Sequence, residues 1–166
     1  MAFSEKKLNL TPNQAREKIK HYCAWQERCH SEVKEKLYGF GLYGMDIDTI
    51  ISELIEENYL NEERFAILYA GGHFRTKQWG KVKITYSLKQ KGVSAFCIKK
   101  ALQQIDLDDY DTCLQKLALT KWNTTKGQIP ARQTKCRNYL LQKGYESGLV
   151  MAVLQKLAQE TKASKK

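Results

Sequence analysis

Apolar residues recur along this chain at helical spacing, and the same arrangement occurs three times. Aligned without gaps on Gly41, Gly92 and Gly144, the three segments carry apolar residues eight and four positions before the glycine and six, nine, ten and thirteen positions after it. All of these positions are apolar, whereas the hydrophobic share of the whole chain is 42%. The sequence therefore contains an internal repeat, which is the first feature to establish in reading a fold. The repeat positions are Val33, Leu37, Ile47, Ile50, Ile51 and Leu54, then Ile84, Leu88, Ile98, Ala101, Leu102 and Ile105, then Cys136, Leu140, Val150, Val153, Leu154 and Leu157.

Each repeat is predicted to contain three helices. The two apolar positions before the glycine lie on one face of a helix, which the glycine ends by adopting the left-handed conformation. The four positions after it have the spacing i, i+3, i+4, i+7 of a second helix. A further amphipathic helix opens each repeat. The predicted helices cover residues 12–27, 31–39, 44–57, 61–75, 79–91, 94–105, 107–123, 130–143 and 146–159.

Polar residues mark several of the predicted helix starts. The stretch 11–14, Thr-Pro-Asn-Gln, has the form of a capping box with proline at the first helical position. Asn61 precedes two glutamates, which favour the positive end of a helix, and the third repeat begins with acids near 106–111. Ser31 and Ser94 are predicted to cap internal helices of the first and second repeats.

These features predict an all-α fold of three tandem three-helix repeats, each a helix-turn-helix-like unit, in an elongated curved array. A unit this small buries little apolar surface alone, so stacking against its neighbours completes the core. The predicted divisions are repeat 1 in residues 1–60, repeat 2 in 61–105, repeat 3 in 106–160, and a basic tail in 161–166, of which 162–166 is expected to be frayed.

Composition indicates a soluble protein of the cytoplasm. Mean hydropathy is −0.57, and no stretch approaches the ~20 consecutive apolar residues of a membrane span. Lys6 and Lys7 are not followed by the apolar run of a secretory signal. The five cysteines, an odd number, are predicted to be reduced thiols. We expect a monomer that does not associate with membranes.

The net charge of +10 is concentrated in the second repeat. Residues 61–105 carry 9 basic and 2 acidic groups, a net +7, whereas residues 1–60 carry 8 basic and 10 acidic groups, a net −2. Phe74, Trp79 and Tyr86 lie among the cations. Such a segment attracts polyanions or acidic protein surfaces, and charge alone does not decide between nucleic acid and protein. The predicted partner-binding residues are Arg75, Lys77, Lys81, Lys83, Lys89, Lys91, Lys99 and Lys100.

No catalytic, cofactor or metal site is predicted. None of the three histidines forms a recognisable pattern with a nucleophile. Cys23, Cys29 and His30 faintly resemble a metal cluster, but a structural zinc site usually has four ligands in tight pairs. The repeat register instead places Cys136 and Cys23 in the core. Cys29 is predicted to lie near a helix end and to be partly exposed.

The chain resembles the RecX family of regulatory proteins, bacterial modulators of the RecA recombinase. The resemblance is strongest over about 28–105, and the third repeat agrees mainly in periodicity. It is carried by Arg28-x-His30-Ser31, Val33, Leu37, Tyr59-Leu60-Asn61-Glu62-Glu63-Arg64-Phe65-Ala66, Tyr69, Arg75, Trp79-Gly80 and Ile84-x3-Leu88-x2-Lys91-Gly92-Val93.

The resemblance implies a partner as well as a fold. It implies tandem three-helix repeats without cofactor or catalytic residues, which bind RecA in the groove of its filament on DNA. It further implies suppression of strand exchange, ATP hydrolysis and SOS induction, with weaker binding to DNA alone in some members. Trp25 stands where the family often has leucine, and Asn61 replaces a common aspartate. Gly71 and Gly72 fall within a helix that is usually free of glycine, and they favour a close helix contact or a kink over a hinge.

Two other functions remain open on the sequence. Two helices joined at a glycine turn resemble helix-turn-helix geometry, so the chain could be a helical nucleic-acid-binding protein with no RecA role. A purely structural adaptor is a weaker alternative. The salt dependence of binding to bare DNA, compared with RecA-coated DNA, distinguishes these functions.

Overall fold

The computed structural model describes residues 7–166, and this range contains nine α-helices and no strand. The helices are α1 (Pro12–Trp25), α2 (His30–Gly39), α3 (Met45–Glu56), α4 (Glu62–Lys77), α5 (Lys81–Gln90), α6 (Ala95–Gln103), α7 (Leu107–Thr124), α8 (Ile129–Lys143) and α9 (Ser147–Ala163). The predicted all-α fold of tandem three-helix repeats is confirmed. None of the helices in the described range is long and apolar enough to cross a membrane.

The repeat positions form the buried side of the helices. Every one of them is buried except Ile51 and Leu102, which are partly buried. Val33, Ile84 and Cys136, which are equivalent in the three repeats, are all completely inaccessible to solvent. The same positions are buried in each repeat. The apolar periodicity of the sequence therefore determines which face of each helix turns toward the core.

The three glycines on which the repeats align adopt the left-handed conformation, as predicted. Their φ angles are +88° at Gly41, +76° at Gly92 and +97° at Gly144. At the third of these turns, the Gly144 N–H donates to the Leu141 carbonyl oxygen at 3.0 Å and ends α8. A side chain with a Cβ rarely adopts such angles, so glycine is strongly favoured where the helix ends here.

Most of the predicted helix caps are present. The Thr11 side chain accepts from the Gln14 N–H, and the Gln14 side chain accepts from the Thr11 N–H, which completes a capping box. Asn61 accepts from the Arg64 N–H at 2.8 Å, and Ser94 accepts from the Cys97 N–H at 3.3 Å. These side chains satisfy backbone donors that have no partner within the first turn of the helix.

The predicted cap at Ser31 is wrong, because α2 begins one residue earlier. Cys29 precedes the helix, and its N–H donates to the Glu32 carboxylate at 3.0 Å. Ser31 lies within the first turn, and its hydroxyl donates to the Lys91 carbonyl oxygen at 2.8 Å. The Ser31 hydroxyl therefore donates to a distant backbone oxygen instead of accepting from an N–H of its own helix.

Several predicted helix ends also differ from the structure, those of α1 and α9 among them. α1 ends at Trp25 rather than at residue 27, and α9 continues to Ala163 rather than ending at 159. The first two residues of the predicted frayed tail, 162 and 163, are therefore helical, and the Thr161 hydroxyl just before them accepts from the Trp122 indole N–H at 3.1 Å. This bond anchors the last turn of α9.

Gly71 and Gly72 are predicted to mark a close helix contact or a kink, and the close contact is not present at either residue. α4 is continuous through both residues. A Cβ at Gly72 would meet no atom within 4 Å, and the nearest atoms to a Cβ at Gly71 would be those of the Arg75 guanidinium, the end of a long side chain. Neither glycine is there to admit another backbone.

The chain forms two compact units, each described here by itself. The first contains residues up to Tyr69 together with 88–101, and the second contains 70–87 together with 102–166. Residues of the second repeat therefore belong to both units, and α4 and α5 each contribute to both.

The first unit is held by its apolar core and by ion pairs between helices. Its core contains Ile19, Leu37, Ile50 and Leu54 among other buried residues. Arg64, which lies in one of the strings that resemble the RecX family, forms an ion pair with Glu27 and also donates to the side chain and carbonyl oxygens of Asn58 at 3.1 Å. Asn58 has a φ of +62°, so these bonds hold a turn that is unfavourable for a residue with a side chain.

The second unit has a core of aromatic and aliphatic side chains. The rings of Tyr110 and Tyr145 lie 5.2 Å apart between centroids, and Phe74 lies 5.8 Å from Tyr110. Both tyrosine hydroxyls are bonded, Tyr110 donating to Glu146 at 2.6 Å and Tyr145 to the Gln78 carbonyl oxygen at 3.0 Å. A buried hydroxyl without a partner would be costly, so both bonds stabilise this core, and the bond to Gln78 also ties the turn between α4 and α5 to it.

Candidate partner-binding site

The predicted binding residues are divided between the two units. Arg75, Lys77, Lys81 and Lys83 belong to the second unit, and Lys89, Lys91, Lys99 and Lys100 belong to the first. The two groups differ in exposure and in their contacts.

In the second unit, cations surround a partly buried tryptophan in the turn between α4 and α5. The Lys77 ammonium lies 5.1 Å from the centroid of the Trp79 ring, and the Lys83 ammonium lies 4.6 Å from it. Both distances are within the range of cation–π attraction. Arg75 and Lys77 are exposed, whereas Lys83 is partly buried. The indole therefore holds two ammonium groups near the surface.

Lys143 also belongs to this group of cations, although it was not among the binding residues predicted from the sequence. Its ammonium donates to the Lys77 carbonyl oxygen at 3.1 Å, and its own carbonyl oxygen accepts from the Gly80 N–H at 2.8 Å. A signal was present in the repeat alignment, because Lys143 directly precedes Gly144 as Lys91 precedes Gly92. The name Trp79 cluster is used below for Lys77, Trp79, Lys83 and Lys143.

Close packing between backbone segments determines the position of the Trp79 cluster. A Cβ at Gly80 would overlap the carbonyl group of Gly144, and a Cβ at Gly144 would overlap Lys83. The Val82 N–H also donates to the Gly144 carbonyl oxygen, at 2.9 Å. Glycine at both positions lets the start of α5 lie directly against the end of α8, which brings lysines from distant parts of the sequence together.

Lys81 is held by a buried tyrosine. Its N–H donates to the Tyr110 hydroxyl at 2.9 Å, and its ammonium lies 4.9 Å from the centre of that ring. Burial, and then the hydrogen bond to Glu146, raise the pKa of Tyr110 well above its ordinary value, so this hydroxyl stays protonated. Lys81 is only partly buried, so its charge still reaches solvent.

In the first unit, Lys91 takes part in an ion pair. Its ammonium lies 3.0 Å from the Glu32 carboxylate. Burial alone would raise the pKa of Glu32, but hydrogen bonds from the Cys29 N–H and from Lys91 outweigh it, and the pKa of Glu32 is lowered. Burial likewise opposes the charge of Lys91, but the bond to Glu32 raises its pKa overall. The charge of Lys91 is therefore largely neutralised within the unit.

The other predicted binding residues of the first unit face solvent. Lys89, Lys99 and Lys100 are exposed. The Lys100 ammonium lies 5.6 Å from the Phe96 ring, and Phe96 is 62% exposed. Phe96 was not singled out from the sequence, although it lies four residues after Gly92 and therefore outside the apolar positions of the repeat. α6 thus presents an aromatic ring beside two cations.

The cysteines lie mostly where the repeat predicts. Cys23 and Cys136 are buried, as predicted, and burial raises the pKa of Cys23 to about 11. The prediction that Cys29 is partly exposed is wrong, because this residue is completely buried at the start of α2. Within residues 7–166, no group of three or more histidine, cysteine and acidic side chains is arranged to hold a metal ion.

Comparison with known proteins supports one family. The family model described as "RecX, second three-helix domain" matches residues 61–102, and the model described as "RecX, third three-helix domain" matches residues 108–154. A solved structure of RecX from Lactobacillus salivarius superposes with a TM-score of 0.80 at 23% identity, covering 88% of this chain and 96% of that one. At that identity the likeness shows a shared fold.

Curated relatives carry the name "Regulatory protein RecX". The protein from Streptococcus uberis is 30% identical over 143 residues, which are 85% of this chain and 54% of that protein. The protein from Clostridium perfringens strain 13 is 31% identical over 133 residues, 78% of this chain and 62% of that protein. The chain thus spans little more than half the length of these relatives, whereas it spans 88% of a relative from Prosthecochloris aestuarii that is 29% identical. Consecutive repeats that match two domains of one family, in a chain with the same fold, show that it belongs to the RecX family of regulatory proteins.

Proposed function

We propose that this protein is a non-enzymatic regulator that binds RecA and its nucleoprotein filament on DNA. In doing so it inhibits recombinase and ATPase activity and limits induction of the SOS response. Family membership supports a regulatory role, and the resemblance noted in the sequence supplies RecA as the partner. The same reasoning favours a monomer that works in the cytoplasm and binds DNA alone more weakly.

The observation that carries the proposal is the excess of cations in the second repeat. Residues 61–105 have 9 basic and 2 acidic groups. The acids, Glu62 and Glu63, are adjacent in the first turn of α4, and Glu62 accepts from the Ser94 hydroxyl at 2.9 Å. A recombinase filament on DNA is a polyanion, so a surface of this kind gains from long-range attraction as it approaches.

Three partly buried acids support a role without catalysis. Glu32 and Glu27 form ion pairs with Lys91 and Arg64, and Glu146 accepts from the buried Tyr110 hydroxyl. Each of these carboxylates therefore has a partner that stabilises the fold. A catalytic acid or base would instead be expected in a cleft with a reacting group within reach.

The test is the ATPase activity of RecA on single-stranded DNA, measured with increasing amounts of this protein. We expect the rate to fall in a saturable manner as the protein occupies the filament. A rate that stays unchanged while the protein binds the same DNA would contradict the proposal. Adding the protein before and after filament assembly would show whether it acts on the assembled filament.

A second candidate is a helical nucleic-acid-binding protein with no RecA role. The Trp79 cluster favours it, because three ammonium groups around one turn suit phosphate oxygens. Affinity for bare single-stranded DNA and for RecA-coated DNA, measured over a range of salt concentrations, separates the two. Tighter binding to the coated DNA supports the regulator, whereas equal or weaker binding to it supports the second candidate.

A further inference from the structure

α5 presents two apolar side chains to solvent on one face. Val82 is 53% exposed and Tyr86 is 65% exposed. They are four residues apart in one helix, so their side chains are neighbours on its surface. This pair is called the Val82–Tyr86 face below, and both of its residues lie in the second unit.

The register of α5 fixes this exposure. Ile84 is completely buried, and it lies on the opposite side of the helix from Val82. The Val82 N–H is bonded to the Gly144 carbonyl oxygen at 2.9 Å, so the first turn of the helix is anchored. The Val82–Tyr86 face is therefore held in position while its side chains remain uncovered.

The surroundings of this face are cationic. α5 reads Lys-Val-Lys-Ile-Thr-Tyr-Ser-Leu-Lys-Gln and contains no acidic residue. Lys81 and Lys83 flank Val82 in sequence, and Lys83 lies one helical turn before Tyr86. An apolar centre with a positive rim is the usual composition of a surface that binds an acidic protein partner.

The chemistry favours protein over nucleic acid at this face. A phosphodiester backbone gains nothing from a valine side chain, whereas an apolar cleft on a protein gains from covering it. The Trp79 ring already has two lysine ammonium groups within cation–π distance. Tyrosine, in contrast, is among the residues that contribute most to binding between proteins.

We propose that the Val82–Tyr86 face binds the protein component of the complex, through an apolar cleft with acidic side chains at its edge. This inference rests on the proposed function, and it assigns α5 to RecA rather than to DNA. The apolar pair supplies affinity, and the lysines around it orient the approach.

The test replaces both residues without changing any charge. Val82→Ser with Tyr86→Ser removes the apolar centre, and Leu107→Ser with Leu119→Ser is the matched control, because those leucines are 72% and 48% exposed on α7 of the same unit. Labelled protein is titrated with RecA without DNA, with RecA filaments on single-stranded DNA, and with bare single-stranded DNA. Melting temperatures verify folding, and Tyr86→Ser alone serves if the double variant does not fold.

We expect the Val82–Tyr86 variant to bind both forms of RecA at least tenfold more weakly and to bind bare DNA within twofold of the unmodified protein. The control should behave as the unmodified protein throughout. An equal loss of affinity for bare DNA would assign the face to nucleic acid and overturn the inference. Unchanged RecA binding, or an equal effect of the control, would also overturn it. If the unmodified protein itself does not bind RecA, the proposed function fails and this assignment fails with it.

Discussion

The Lys91 ammonium lies 3.0 Å from the Glu32 carboxylate and joins the turn after α5 to the first turn of α2. The Ser31 hydroxyl, which donates to the Lys91 carbonyl oxygen, strengthens the same junction. Lys91 was among the cations predicted to bind a partner, and that role remains a proposal. Its position shows a structural role in addition, so changing this residue perturbs the fold as well as the surface charge.

Replacing Lys91 with methionine should lower the free energy of unfolding by about 1 kcal/mol near neutral pH, a typical value for a partly exposed ion pair. Burial opposes the charge on Glu32, but its hydrogen bonds dominate, so its folded pKa lies below the ordinary 4.5. The stabilisation is therefore complete above about pH 4.5 and is lost as pH falls through the folded pKa. Urea unfolding at pH 7 and near pH 3 measures this, with Lys89→Met as the exposed control. A difference between Lys91→Met and unmodified protein that is the same at both pH values would contradict the ion-pair explanation.

Charge reversal on α6 should weaken the proposed inhibition of RecA. Lys99→Glu with Lys100→Glu changes two exposed cations of the second repeat, and Lys18→Glu with Lys34→Glu makes the same charge change at exposed positions in the first repeat. We expect the α6 variant to require at least tenfold more protein for half-inhibition of RecA ATPase, and its binding to be less sensitive to salt because fewer ionic contacts form. The first-repeat variant should lose much less of its inhibition of RecA ATPase. If both variants lose inhibition equally, net charge rather than location determines binding.

Truncating a buried side chain at a repeat position should lower the stability of the protein. Leu88 is completely buried, so Leu88→Ala should lower the free energy of unfolding by about 2–5 kcal/mol through lost burial and a new cavity. Leu68 is 52% exposed, and Leu68→Ala should change it by less than about 1 kcal/mol. Chemical denaturation compares the two variants. A cost below about 1 kcal/mol at Leu88 would show that the repeat register is wrong.

Replacement by alanine should change the stability of the protein in opposite directions at Gly72 in α4 and at Gly80 just before α5. Gly72→Ala should stabilise the protein by about 0.5–1 kcal/mol, because a Cβ there meets no atom within 4 Å and alanine is the better helix former. Gly80→Ala should destabilise it, because the new Cβ would overlap the Gly144 carbonyl group. Thermal unfolding of both variants measures the effect. Stabilisation at both sites would mean that the start of α5 does not pack closely against the end of α8.

Much of the fold could be predicted from local patterns. The equivalent residues Leu37, Leu88 and Leu140 are all buried, and the glycines that follow them adopt the predicted conformation. These features depend on helical periodicity and on the conformational range of single residues, which are written in the sequence within one or two turns. The cap at Asn61 is likewise a contact over three residues. Such short-range interactions form in the same way whatever the distant parts of the chain do.

The candidate site depended on contacts that no local pattern contains. Lys91 pairs with Glu32 across 59 positions, and Lys143 bonds to Lys77 across 66. The wrong predictions at Ser31 and Cys29 have the same origin. A tertiary contact determined the hydrogen-bond partner of Ser31, and tertiary packing determined the burial of Cys29, so helix signals predicted neither. The sequence by itself determined where helices form and which face each one buries, since both follow from residue spacing. Only the tertiary structure decided which charges are paired and which remain at the surface, because that depends on which helices pack together.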